Sequence, residues 1–259
     1  MDKELKILFI GNSFAVDTME HFASVTLSLG YTKVKTWTLY HGGCSIDRHY
    51  NNITNNIKDY SCFINEGNGV IEKPDYSIIE SIKCDNWDYI AIQHGTGDGS
   101  KYASVESYKK LQELVNLVKE NANSNAKIVF NMTWVGESDF EYGELITYNG
   151  NQIKLYQDIA NLTKEYVSKI KGIDYISPTG TAIQNARLYD IGKLTRDGYH
   201  LSLDTGRYIA SLTLLKTITN INIDDISWAP EGVSDKVKEV YIKVVNDEIN
   251  NPFEVSNVK

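Results

Sequence analysis

The sequence predicts an α/β protein, a three-layer α/β/α sandwich built on a mostly parallel, five-stranded sheet. Two observations carry that expectation. Short apolar runs rich in β-branched and aromatic residues alternate along the chain with stretches of helical periodicity, the pattern of crossover units that lay parallel strands side by side. At 259 residues and 42% hydrophobic content the chain can fill one large core, so a single domain over residues 1–259 is expected.

Five runs read as strands: LKILFI from residue 5, KVKTWTLY from 33, WDYIAIQ from 87, AKIVFNMTW from 126 and IDYISP from 173. Between them, helices are predicted over residues 17–29, 103–121, 151–170 and 204–218. Asp17 or Thr18 is the expected N-cap of the first, and Gly30 closes it. Residues 59–80 read as a hairpin or excursion ahead of a short helix near 77–84, and 135–150 as a long polar loop. Both insertions fall where α/β folds place substrate-contacting segments. The stretch 233–247 has apolar residues at Val237, Val240, Tyr241, Val244 and Val245, a helical stripe expected to pack on the sheet edge.

Charge narrows the partners. With 26 Lys and Arg against 34 Asp and Glu the net charge is −8, which repels phosphate backbones and anionic headgroups, so neither nucleic acid nor a membrane surface is an expected partner. No apolar run is long enough to span a bilayer. The N-terminus lacks the basic and apolar regions of a secretory leader, and a cytoplasmic location is expected for the chain as written. Cys44, Cys62 and Cys84 have neither CxxC nor zinc-finger spacing, which argues for reduced thiols and against a structural metal.

In open α/β sheets, ligands bind beyond the carboxyl ends of the strands. After the five runs come Gly11-Asn12-Ser13, His41-Gly42-Gly43-Cys44, Gln93-His94-Gly95-Thr96-Gly97-Asp98, Thr133-Trp134 and, further on, Asp197-Gly198-Tyr199-His200. A serine at a strand-to-helix turn is exposed beside unpaired helix N–H groups, which suits a nucleophile facing a developing oxyanion; it suits a plain capping serine equally. Asp197 and His200, three residues apart in one turn-rich segment, can approach a single point, so the carboxylate holds one ring nitrogen while the other faces a serine.

These two segments, ILFIGNSF and LTRDGYHLS, resemble the SGNH, or GDSL-like, hydrolases, and the resemblance spans about residues 5 to 218. It implies a flavodoxin-like sandwich and a triad of Ser13 as nucleophile, His200 as acid–base group and Asp197 as its orienting carboxylate. The oxyanion hole it implies is made by the backbone N–H groups of Ser13 and Gly43, with Gly42 as the next choice. Two departures stand out: Asn12 replaces the aspartate of the first block, and Gly97 replaces the asparagine that donates from the third. Gln93 is the expected substitute donor, ahead of His94, because an amide donates at every pH.

The resemblance implies a serine esterase that needs no metal or organic cofactor and cleaves a short-chain ester, carbohydrate O-acetyl groups foremost. His94, Trp134 and Tyr199 are candidates for substrate contact; packing roles fit Trp134 and Tyr199 as well. Arg196 reads as a salt bridge holding its loop or as a ligand for an acidic substrate, and Cys44 as a small buried residue rather than a nucleophile. An α/β-hydrolase elbow at GNSFA fits less well, since the serine follows the first strand. From a different class, a flavodoxin-like binding module would set GNSFA against a phosphate, and a lapsed hydrolase would bind glycans; neither requires Asp197 or His200 for chemistry.

Overall fold

The computed structural model describes residues 3–67, 69–98 and 105–255. Within them, β1 (Glu4–Gly11), β2 (Lys33–Tyr40), β3 (Tyr60–Asn65), β4 (Val70–Tyr76), β5 (Tyr89–Gln93), β6 (Lys127–Asn131) and β7 (Tyr175–Ser177) form one sheet in the order β4-β3-β2-β1-β5-β6-β7. All five predicted strands are present and pair in parallel. The sheet has seven strands rather than five, because the segment read as a hairpin adds β3 and β4 antiparallel to the edge of β2. Strand β3 alternates buried Tyr60, Cys62 and Ile64 with half-buried neighbours, as a strand covered on one face does. Strand β4 takes the outer edge, where Pro74 and charged Glu72 and Lys73 are tolerated.

Strand β1 lies at the centre and explains its own apolar run. Ile7 and Phe9 point into one core, Leu8 and Ile10 into the other, so both faces of the strand are buried. The first core is closed by α1 (Ser13–Met19), α2 (Phe22–Ser28), α8 (Thr179–Ala186), α9 (Thr205–Thr219) and α10 (Asp235–Glu248). The second is closed by α3 (Ile46–Thr54), α4 (Ile78–Lys83), α5 (Val105–Asn121) and α7 (Gln152–Glu165). A short α6 (Gly143–Thr147) sits inside the segment predicted to be loop. Residues 103 and 104 of the helix predicted over 103–121 lie outside the described residues. Among the described residues, no helix is long and apolar enough to cross a membrane.

The first predicted helix starts four residues early and is split in two. Asn12, not Asp17, is its cap: the Asn12 side-chain oxygen accepts the Phe14 N–H at 3.0 Å. Asp17 is thereby turned into the protein. At the other end of α2, Gly30 adopts φ +89°, the left-handed geometry that ends helices cheaply only at glycine. Helix α10 begins as expected for its sequence, with Ser234 accepting the Val237 N–H.

Candidate active site

From β1 the chain crosses to β2 on one side of the sheet and later returns to β5 on the other, so the carboxyl ends of β1 and β5 flank a topological switch point. Ser13 follows β1 at this point, at the first position of α1. His200 Nε2 lies 3.0 Å from Ser13 Oγ, and His200 Nδ1 lies 2.7 Å from Asp197 Oδ2. A carboxylate only accepts, so Nδ1–H donates to Asp197 and leaves Nε2 to accept the serine proton.

Asp197 is tied down by its own turn. Its Oδ1 accepts the backbone N–H of Tyr199 at 2.9 Å and of His200 at 2.7 Å. Burial pushes this carboxyl up, but the hydrogen bonds from the His200 ring and the two amides outweigh it and hold its pKa below the ordinary aspartate value. Gly198 allows the turn: its φ is +85°, and the Phe140 ring lies where a side chain would stand.

The segment Arg196–Leu201 is in turn bolted to the helix that carries Ser13. Asp17, 1% exposed, accepts from Arg196 at 3.0 Å, from Arg207 at 2.8 Å and from the Leu201 N–H at 2.9 Å. Arg196 is therefore a structural salt bridge. Aromatic packing supplies a second brace, since Trp134 stacks on Phe14 with ring centroids 4.1 Å apart and donates its indole N–H to the Tyr199 carbonyl at 3.0 Å.

Ser13 stands between two depressions. One is a cleft of about 290 Å³ whose walls include Asn12, Gly43, Thr96, Glu144 and Tyr199; the other, about 320 Å³, is bordered by Tyr40, Phe63, Glu72 and Arg196. Among the described residues the backbone N–H groups of Ser13 and Gly43 have no hydrogen-bond partner, and both residues face the first cleft. Gly43 has φ +60°, a conformation that suits glycine and little else. Asp98 braces this side by accepting the Gly95 N–H at 3.1 Å and the Ile46 N–H at 3.3 Å; burial pushes its pKa up to about 6.

Not every expected residue reaches the cleft. Gln93 shares the sheet face of Ala91 and pairs in register with Asn131, so its side chain runs into the core under α1, fully buried and outside the cleft wall. The third-donor assignment is corrected accordingly. His94 is also buried; its Nδ1–H donates to the Gly95 carbonyl at 2.8 Å, and burial lowers its pKa to about 4, so the ring is neutral packing against Phe130. Trp134 is fully buried and offers no stacking face to a ligand. Tyr199 does line the cleft, its hydroxyl 3.0 Å from Thr96 Oγ1.

Cys44 has a histidine neighbour without reactive chemistry. Its sulfur lies 3.4 Å from His49 Nδ1, which also meets the Tyr60 hydroxyl at 2.8 Å. Burial pushes the thiol up to about 12 and the imidazole down to about 3, so both stay neutral. Sequence reading missed Asp17, Thr96 and Glu144. Only Asp17 left a signal, as a charge between Phe14-Ala15 and Thr18-Met19 on a helix with no polar face to spare there.

A hydrogen-bonded Ser–His–Asp chain at the switch point of a parallel sheet places the molecule among α/β/α sandwich proteins with a polar site at the strand ends. The chain belongs to the DUF4886 family, described as a domain of unknown function, whose model matches residues 6–247. It is similar over 98% of both chains to the crystal structure of a DUF4886 family protein from Bacteroides uniformis, with 32% identity and a TM-score of 0.91. The fold is shared more distantly with a lipolytic G-D-S-L family protein from Veillonella parvula: 16% identity, TM-score 0.50, 83% of this chain and 98% of that one. It is shared likewise with the acetylxylan esterase Axe2 from Geobacillus stearothermophilus, at 14% identity and TM-score 0.50 over 83% of this chain and 94% of that one. A comparison with curated proteins found no match.

Proposed function

We propose that this protein is a serine esterase of the SGNH, or GDSL-like, class that removes short acyl groups, foremost O-acetyl groups, from carbohydrate hydroxyls. One observation carries the reading: Ser13 Oγ, His200 and Asp197 lie in an unbroken hydrogen-bonded chain at 3.0 and 2.7 Å, beside two unpartnered backbone N–H groups. The distant fold likeness to an acetylxylan esterase and a lipolytic G-D-S-L protein supports it, as does the size of the cleft, about 290 Å³, which has room for a short acyl group.

In this mechanism Ser13 Oγ attacks the ester carbonyl while His200 Nε2 takes its proton, and Asp197 holds the ring and stabilises the imidazolium. The negative charge on the carbonyl oxygen is met by the Ser13 and Gly43 N–H groups. Each such donor is worth about 3 kcal/mol of barrier. His200 returns the proton to the leaving alcohol, and a water deprotonated by the same nitrogen then releases the acid from Ser13.

The test is hydrolysis of p-nitrophenyl acetate by wild type, Ser13→Ala and His200→Ala, with mass-spectrometric mapping of a fluorophosphonate adduct. Turnover lost in both variants and an adduct on Ser13 are expected. Absence of both turnover and adduct in wild type overturns the esterase in favour of a ligand-binding module on the same fold.

A further inference from the structure

Gly97 is glycine for room, not for backbone freedom. Its φ lies outside the left-handed range, yet a Cβ built on it would stand 3.0 Å from Glu144 Oε1. The Glu144 carboxylate thus rests against the Gly97 backbone, inside the cleft that begins at Ser13. It arrives there from α6, within the 135–150 insertion, and is half-buried. Among the described residues neither of its carboxylate oxygens has a hydrogen-bond or ion-pair partner, and no Lys or Arg lines the cleft. Tyr199 lines the same cleft.

A half-buried carboxylate on the wall of a cleft presents acceptor oxygens to a ligand that brings a donor. It also has an electrostatic consequence. A carboxylate in the same cleft opposes the negative charge that builds on the ester oxygen during attack, and a hydrogen bond from a substrate hydroxyl weakens that opposition without removing the charge.

We propose that Glu144 determines specificity by accepting a hydrogen bond from a free hydroxyl of the substrate's alcohol moiety, so that polyol and sugar esters are favoured over esters without a neighbouring donor. The inference rests on the serine esterase reading of the same cleft. The substrate supplies the donor that stabilises the carboxylate, and a loop outside the triad sets the choice of alcohol.

Glu144→Gln keeps the size and the acceptor and removes the charge, so its effect should change sign with the substrate. For monoacetylated methyl glucosides, kcat/KM is expected to fall about tenfold as a charge-assisted hydrogen bond becomes a neutral one. For p-nitrophenyl acetate, which carries no donor, kcat/KM is expected to rise. The same monoacetates with their free hydroxyls methylated should follow p-nitrophenyl acetate. A merely structural role would move all three substrates alike, and that outcome, or no movement at all, overturns the assignment while leaving the esterase intact. So does a wild type that cleaves p-nitrophenyl acetate but no hydroxylated monoacetate. A wild type inert to every ester and to fluorophosphonate overturns the esterase and this inference together.

Discussion

The Asp17 carboxylate and the Leu201 amide meet at 2.9 Å across 184 residues of sequence, and Arg196 and Arg207 close on the same carboxylate. Through this contact the helix bearing Ser13 fixes the loop bearing His200. Asp17→Asn leaves Arg196 without its carboxylate partner and leaves Arg207 with Glu20 alone, at 3.0 Å. A loss of about 3 kcal/mol is expected, at the low end for a buried pair because Arg196 is partly exposed. At roughly 2–4 °C per kcal/mol the melting temperature should drop by several degrees in calorimetry, and kcat should drop with it at temperatures where the variant is still folded. An unchanged melting temperature would show that the clamp contributes nothing.

Gly11 ends β1 directly beneath α1. A Cβ there would lie 2.5 Å from Ala15 Cβ, with backbone behind both atoms. Gly11→Ala should cost about 1–3 kcal/mol in urea unfolding as α1 is pushed off the sheet. Adding Ala15→Gly should recover part of the loss, and a double-mutant cycle with no coupling would refute the clash.

Glu248 is buried against Asn185, whose amide donates to Glu248 Oε1, while Oε2 has no partner. Burial pushes its pKa from 4.5 up to about 8, so the folded protein keeps it protonated where the unfolded chain ionises it. The stability it allows is complete below pH 4.5 and is lost as pH rises through 8, at no more than about 1.4 kcal/mol per pH unit. Urea midpoints should therefore fall between pH 5 and 8. Glu248→Gln should flatten that slope, and a slope that survives the substitution assigns it elsewhere.

Thiol chemistry separates the serine from the cysteine beside the cleft. Cys44 and Cys62 are buried with thiols pushed up to about 12, and exposed Cys84 is pushed up to about 11. Iodoacetamide at neutral pH should label the native protein slowly, at Cys84 first, without loss of the proposed esterase activity. Rapid inactivation with label on Cys44 would reverse the choice of nucleophile.

Strands β1, β5 and β6 were legible because they are buried on both faces and so read as near-continuous apolar runs, Ile7 to Ile10 above all, whereas β2 was legible from its β-branched and aromatic residues despite an alternating burial pattern. The β3–β4 pair was legible as a hairpin but not as part of the sheet, since which edge a hairpin joins is settled by tertiary packing. Ser13, Asp197 and His200 were legible as residues with chemistry, and their contacts are visible only in three dimensions. Gln93 went astray for a local reason: at a strand tip, one residue of parity decides between the cleft and the core. Glu144 left no mark because nothing in a polar loop reveals which of its charges turns inward.

The bond between His200 and Ser13 joins residues 187 positions apart, one at the first strand's end and one just before α9. The site therefore requires long-range closure of the chain, since neither the β1–α1 turn nor the 196–201 turn holds it alone. Return of the proposed esterase turnover after dilution from denaturant would accordingly time that closure. No fragment ending before residue 200 can contain the reactive pair.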